Sequence, residues 1–417
     1  MRKVNRRVLL LCLGLTLALL FVIRHISILF PRQRLADESF FLTSTCPACF
    51  GDNLCKQLED RLLVTSFLLT LRASFKGVHR AEWSSLSKGS VRVVTKSLSL
   101  ATEMKEFDAQ LCLYTTGDRY CSVDEAAKLL LSSNVVDRAR KGSNTMWDRQ
   151  LDLSDHFGCV SKRLETKVIR LYDKNGDGLL SVEEHHILAT TLKVNREPII
   201  LQLFPNEDGW PFPRYYGACG RTIIVEDGGR PLLEYMNKPW EFRVWLAVQL
   251  LQIAFLLTNN NKEWAVYLTD IDLENFALSR NGQVLAIDVE HVEVVDMREI
   301  KQKGLPIYRN FKAENPFCDH DNVICGTHSI DAMCRGQERD HNFIYTCRAM
   351  LGFPHHGRLL SNPPSHVKDR IESLLMDCIY YNSDRPRWQA AEELLQFLVS
   401  LLPNGPDQDD LMQIYNK

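Results

Sequence analysis

The chain has 417 residues, 45% of them apolar and 24% charged, with a formal net charge of −2. These values sit near the globular average, so the chain can bury a large core and is not disordered by default. A charge this close to zero gives no basis for binding nucleic acid or another polyanion.

Arg2, Lys3, Arg6 and Arg7 precede an apolar run from Val8 to Ile23 that closes on Arg24 and His25. A cleaved signal peptide and an uncleaved signal anchor both begin this way. The run exceeds the usual apolar core of about 7–15 residues and no small-residue cleavage site follows, so a signal-anchor helix is expected over residues 8–29. The basic flank predicts a cytoplasmic tail at 1–7 and a lumenal body, the single-pass type II arrangement. So short a span suits a thin bilayer such as the endoplasmic reticulum membrane.

A cysteine-containing segment follows at 30–70. Apart from Cys12 in the anchor, twelve cysteines remain, including Cys46, Cys49 and Cys55. In an oxidising lumen they read as disulfides, with no pairing assignable from sequence. Zinc is the rival, because Cys46 and Cys49 have a CxxC spacing and His320, His328 and His341 lie among the C-terminal cysteines.

Residues 75–83, FKGVHRAEW, hold only Gly77, few glycines for a loop that would cradle phosphates. SVRVVTKS at 90–97 is a strand ending in Lys96, and the helix expected from Leu98 to Leu111 offers Glu103 and Glu106 as partners for its ammonium. DKNGDGLLSVEE at 173–184 satisfies a twelve-residue calcium loop. Asp173, Asn175 and Asp177 stand at positions one, three and five, Gly178 at six, and Glu184 at twelve, with the Leu179 carbonyl and Ser181 completing the shell. Helical apolar spacing on both sides completes an EF-hand over 160–195. An acidic turn between two helices is the alternative.

TIIVED at 222–227, followed by Gly228 and Gly229, reads as a strand and a hinge, and Trp240 to Thr258 as a long apolar helix. Beyond it, Asn275 follows Asp270 by five positions and Asp288 follows Asn275 by thirteen. Phe276 to Leu278 and Val284 to Ile287 form two short strands around a turn at Ser279 to Gly282. A hairpin of this kind brings Asn275 at its mouth beside Asp288 at its exit.

This spacing resembles the catalytic loop and metal-binding Asp of protein kinases. The chain departs from that pattern at Leu268 and Thr269, where kinases carry His-Arg, and at Val289 and Glu290, where they carry Phe-Gly. With the anchor, the CPACFGDNLC cluster, the EF-hand and LTDIDLEN, the chain resembles the divergent protein kinase domain 1 family, cysteine-rich type II membrane proteins of the endoplasmic reticulum. The resemblance implies an α+β, two-lobed protein-kinase-like fold over 71–402, the EF-hand inserted in the small lobe, and a tail at 403–417. It also implies ATP with Mg²⁺ or Mn²⁺, and Ca²⁺ on the EF-hand. In that scheme Asp270 is the base, Asn275 and Asp288 hold the metal, and Lys96 steadies the phosphates with Glu103 or Glu106 behind it. The expected activity is transfer of the γ-phosphoryl of ATP to Ser or Thr hydroxyls of lumenal proteins. A calcium-responsive pseudokinase scaffold is the rival, and a purely structural calcium-binding protein leaves the Asn275 and Asp288 spacing unexplained. Asp384, Arg385, Pro386 and Arg387 resemble the entry to a kinase's last helix, where an arginine holds a buried carboxylate.

Overall fold

The computed structural model describes residues 38–58, 62–64, 77–85, 89–132, 152–258, 263–304, 329–337, 339–352, 358–380 and 385–402. The expected anchor, both tails, Phe75 and Lys76 of the glycine-poor stretch, and Cys318 and Cys325 lie outside them.

The smaller lobe is built on an antiparallel sheet of order β1-β2-β3-β5-β4. Its strands are β1 (Leu62–Val64), β2 (Val78–Ser85), β3 (Gly89–Lys96), β4 (Tyr215–Cys219) and β5 (Thr222–Glu226). Valine and threonine alternate along β3, so Val93 and Thr95 point inward and are fully buried. The segment before the sheet carries the turns α1 (Glu38–Phe41) and α2 (Cys55–Leu58). It lies along the outer strand: Phe50 N–H donates to the Gly220 carbonyl at 2.9 Å, Leu54 N–H to that of Ala218 at 3.0 Å, and Cys55 bonds to Cys219.

Between β3 and β4 the chain leaves the sheet for about 120 residues. α3 (Ala101–Thr116) and α4 (Val123–Leu130) form a hairpin closed by Cys112–Cys121. α5 (Lys162–Tyr172) and α6 (Val182–Val194) flank the acidic loop, and α7 (Glu197–Leu203) leads back to β4. α5 is amphipathic, with Leu164, Val168 and Tyr172 buried, and Ser161 caps it by accepting the Leu164 N–H at 3.0 Å.

After β5, β6 (Arg230–Pro231) starts the larger lobe and pairs with β8 (Phe276–Leu278), which pairs with β9 (Val284–Ala286). β7 (Trp264–Leu268) pairs with β10 (Val292–Asp296). Around them stand α8 (Trp240–Thr258), α9 (Met297–Gln302), α10 (Ile330–Cys334), α11 (His341–Tyr345), α12 (Ser365–Ile379) and α13 (Arg387–Leu401). α8 is long and apolar enough to cross a membrane by length and composition, but 72% of its apolar window is buried inside the protein, which makes it a core helix. Five disulfides join described cysteines: Cys46–Cys49, Cys55–Cys219, Cys112–Cys121, Cys159–Cys334 and Cys347–Cys378. The CxxC pair is therefore a disulfide and not half of a zinc site.

The arginine at the entry to the last helix holds a carboxylate, as its sequence context suggests. Arg387 on α13 meets Asp340 at 2.7 Å, with both side chains almost wholly buried.

Candidate active site

Lys96, at the end of β3, is fixed between two oxygens. Its Nζ lies 2.6 Å from Glu197 Oε1 and 2.6 Å from the carbonyl oxygen of Ile287, the residue before Asp288. One cation thus ties the small-lobe sheet, α7 and the exit of the β8–β9 hairpin together. Burial pushes the Glu197 carboxyl up to about 7, against the pull of Lys96.

The partner of Lys96 differs from the expected one. Glu103 turns back to accept the Leu100 N–H at 2.8 Å, completing the N-terminal box of α3, and Glu106 pairs with Arg119 at 2.8 Å on the exposed side. α3 belongs to the insertion, and the helix that faces Lys96 is α7, which sits directly before β4. Glu197 opens the short helix leading into β4 and β5, but four helices separate that helix from β3. All three glutamates, with Lys96, Asp288 and Glu290, line a cavity of about 780 Å³.

The loop that carries Asp270 and Asn275 follows β7. β7 is buried throughout, and its last residue is gripped on both sides. His341 Nε2 lies 2.7 Å from the Leu268 carbonyl oxygen, and the Leu268 N–H donates to Asn342 Oδ1 at 3.1 Å. Asn342 also donates to the Val266 carbonyl and to Thr258 Oγ1, both at 2.9 Å. The sequence pattern offers His341 only as a metal ligand and marks Asn342 not at all. Both instead hold the backbone two residues ahead of Asp270. Thr269, in the place of the kinase arginine, bonds the His291 carbonyl through its N–H and its hydroxyl, at 2.9 and 3.0 Å.

Asp270 itself is exposed, while Ile271 and Leu273 anchor the loop in the core. Asn275 Nδ2 donates to the Asp270 carbonyl at 3.2 Å, and the Ile287 N–H donates to the Asn275 carbonyl at 2.8 Å. Asn275 and Asp288 therefore stand on opposite sides of the hairpin mouth. At the hinge, Arg80 of β2 donates to the Gly229 carbonyl at 2.6 Å and faces Asp227 at 3.6 Å.

The acidic loop turns through Gly176 (φ 73°) and Gly178 (φ 84°), the left-handed region that favours glycine. Asp173 accepts from the Gly176 and Gly178 N–H groups, each at 2.8 Å, and Asp177 from that of Leu179 at 2.8 Å. Glu184 accepts from the backbone N–H groups of Ser181 and Lys174, each at 2.8 Å, and these bonds hold its carboxyl below the usual range. Among the described residues no three His, Cys, Asp or Glu side chains are gathered closely enough to hold a metal ion. The loop has the turns and oxygen donors of a calcium site, with its twelfth residue turned to the backbone.

A five-stranded antiparallel sheet with a lysine–glutamate pair, a hinge, and a helical lobe carrying an Asp–Asn–Asp loop defines a divergent protein-kinase-like domain. The chain belongs to the divergent protein kinase domain family. Residues 189–380 match the family model described as the protein-kinase domain of FAM69. The chain is 35% identical over 407 residues to "Divergent protein kinase domain 2A" of Xenopus tropicalis, covering 90% of this chain and 91% of the relative. The corresponding human protein is 34% identical over 426 residues, covering 96% and 97%. Human "Divergent protein kinase domain 2B" is 27% identical over 356 residues, covering 82% and 78%. These relatives carry the domain 2 designation, which corrects the domain 1 resemblance of the residue pattern. A solved erythromycin complex of a Mycobacterium tuberculosis protein overlaps 56% of this chain and 46% of its own, at 18% identity and a TM-score of 0.25, too slight a likeness to carry an argument.

Proposed function

We propose that the chain transfers the γ-phosphoryl group of ATP to Ser or Thr hydroxyls of proteins in the secretory-pathway lumen. The observation that carries this reading is Lys96, held between Glu197 and the Ile287 carbonyl beside Asp288. A cation so placed can meet the α and β phosphates, because its position is set before any ligand arrives. Asp270, exposed at the loop, accepts the proton of the acceptor hydroxyl as its oxygen bonds to the γ-phosphorus and the bond to the ADP oxygen breaks. The residues fit a divalent ion: Asn275 commits its amide nitrogen to Asp270, which leaves Oδ1 as its ligand atom, and Asp288 offers a carboxylate across the hairpin mouth. Mg²⁺ or Mn²⁺ held there would neutralise charge on the phosphates.

A non-catalytic scaffold is the second reading. It is favoured by the carboxyl groups of Glu103, Glu197, Asp288 and Glu290 lining one cavity, which repel a polyphosphate unless metal is present. Purified protein with labelled ATP and Mg²⁺ or Mn²⁺, compared with Asp288→Ala, separates the two. Transfer and nucleotide binding in the wild type, both lost in the variant, support the enzyme. Wild-type protein that neither binds nor transfers favours the scaffold.

Ca²⁺ is the ion we assign to the loop Asp173, Asn175, Asp177, Leu179, Ser181 and Glu184, because hard oxygen donors around two left-handed glycines suit it. Binding would draw Glu184 away from the Ser181 and Lys174 N–H groups. Five disulfides in a chain with basic residues ahead of an apolar N-terminal run support an oxidising lumen and a single-pass type II anchor at 8–29 in the endoplasmic reticulum membrane.

A further inference from the structure

Both ends of the α5–α6 insertion are fastened, the entrance to the larger lobe and the exit to both lobes. Where the chain enters it, Cys159 is bonded to Cys334 of α10 in the larger lobe. Gly158 donates its N–H to Glu293 Oε2 of β10 at 2.9 Å, and it lies so close that a Cβ there would come within 2.2 Å of the Ile330 side chain. Ser161 Oγ donates to Asp296 at 3.0 Å, and Arg163 Nε to the same carboxylate at 2.8 Å, with its guanidinium over Trp264 at 4.1 Å. The entrance is therefore pinned to the larger lobe by a covalent bond, a buried-carboxylate ion pair and close packing.

Where the chain leaves the insertion, only Asn195 and Arg196 separate α6 from Glu197. Asn195 Oδ1 accepts the Glu197 N–H at 2.8 Å, and its Nδ2 reaches the Leu98 carbonyl at 3.1 Å and the Glu290 carboxylate. Arg196 donates to the Glu290 carbonyl at 3.2 Å and to the His156 carbonyl, and its guanidinium lies 5.2 Å from the centre of the Phe157 ring. His156 and Phe157 are the residues just ahead of the pinned Gly158 and Cys159. Arg196 thus touches both the entrance of the insertion and the strand exit that carries Asp288.

We infer that Arg196 is a positioning residue: bridging the His156 and Glu290 carbonyls, it ties the helix carrying Glu197 to the larger lobe through the segment closed by Cys159–Cys334. In protein kinases this pairing depends on how its helix is seated, which activation-loop phosphorylation controls. Here a short path of hydrogen bonds ending in a disulfide seats α7, so the Lys96–Glu197 pair stands without such a signal. Arg196 reaches this through its two carbonyl contacts and touches no reacting atom. The inference rests on reading the site as a nucleotide site, but its test does not depend on that.

The test uses the full chain as wild type, Arg196→Gln, Arg196→Lys and Cys159→Ser with Cys334→Ser. In nucleotide-free protein, amide exchange should quicken over 197–203 and 288–291 in Arg196→Gln and in the double serine variant, with α12 and α13 unchanged; Arg196→Lys, which keeps the donor charge, should lie between. Where the wild type binds Mg-ATP, the Gln and double serine variants should bind it about tenfold more weakly. Exchange over 197–203 that matches the wild type in both variants overturns the inference, and so does a rise that spreads equally through α12 and α13. Wild-type protein that binds no Mg-ATP sinks the proposed function instead, and the exchange comparison still decides the role of Arg196.

Discussion

Lys96 and Glu197 form an ion pair across 101 positions of chain, 2.6 Å apart, with both side chains largely buried. The sheet that ends in one and the helix that begins with the other are neighbours only because the insertion doubles back on itself. Removing it from the sequence leaves β3, one short helix, β4 and β5, the order of a kinase small lobe.

The buried carboxyl of Glu197 gives the pair a dependence on pH. Its folded pKa, about 7, lies above the ordinary value of 4.5, so between those pH values the native state holds the proton that the unfolded chain has released. The stability contributed by that proton is complete below about 4.5 and is lost as pH rises through about 7. Unfolding midpoints measured from pH 4 to 8 should therefore fall relative to Glu197→Gln over this window. Parallel profiles for the two proteins would refute the assignment.

Arg387 and Asp340 are 5% and 2% exposed, so neither charge can be solvated if the other is removed. Arg387→Met alone should cost about 3–5 kcal/mol in urea unfolding, because it strands a buried carboxylate. Combining it with Asp340→Leu should recover most of that loss. A double variant as unstable as the single one would mean that the pair is net favourable.

Calcium should stabilise the protein only while the loop keeps its acidic ends. At about 1 mM Ca²⁺, an affinity near 10⁻⁴ M adds about 1.4 kcal/mol, a rise of a few degrees in melting temperature. Asp173→Ala with Glu184→Ala should remove the rise. Equal rises in both proteins would mean that the ion binds elsewhere.

Much of the larger lobe was legible because its determinants are local. The Asp270, Asn275 and Asp288 spacing spans eighteen positions, the β8–β9 hairpin is marked by its turn, and Arg387 is marked by the proline before it. Glu197 was not, because the rule that places it counts elements after β3, and four helices intervene before α7. The same limit hid His341 and Asn342, which act through backbone atoms more than seventy positions away. A contact made to a carbonyl or an N–H leaves no requirement on the residue that supplies it, so no pairing of residue types records it. The departure at Thr269 is explained only in three dimensions, since its bonds to His291 fasten the end of β7 to the start of β10.

Among the described cysteines, the stretch matched to the family's kinase domain, 189–380, holds Cys219, Cys334, Cys347 and Cys378 but neither Cys55 nor Cys159. A recombinant fragment trimmed to those limits would leave Cys219, on the outer small-lobe strand, and Cys334, on α10, without their partners, each ready to cross-link molecules to one another. Expression boundaries drawn from similarity therefore cut through the folding unit, and soluble material should require the polypeptide from ahead of Cys46 onward.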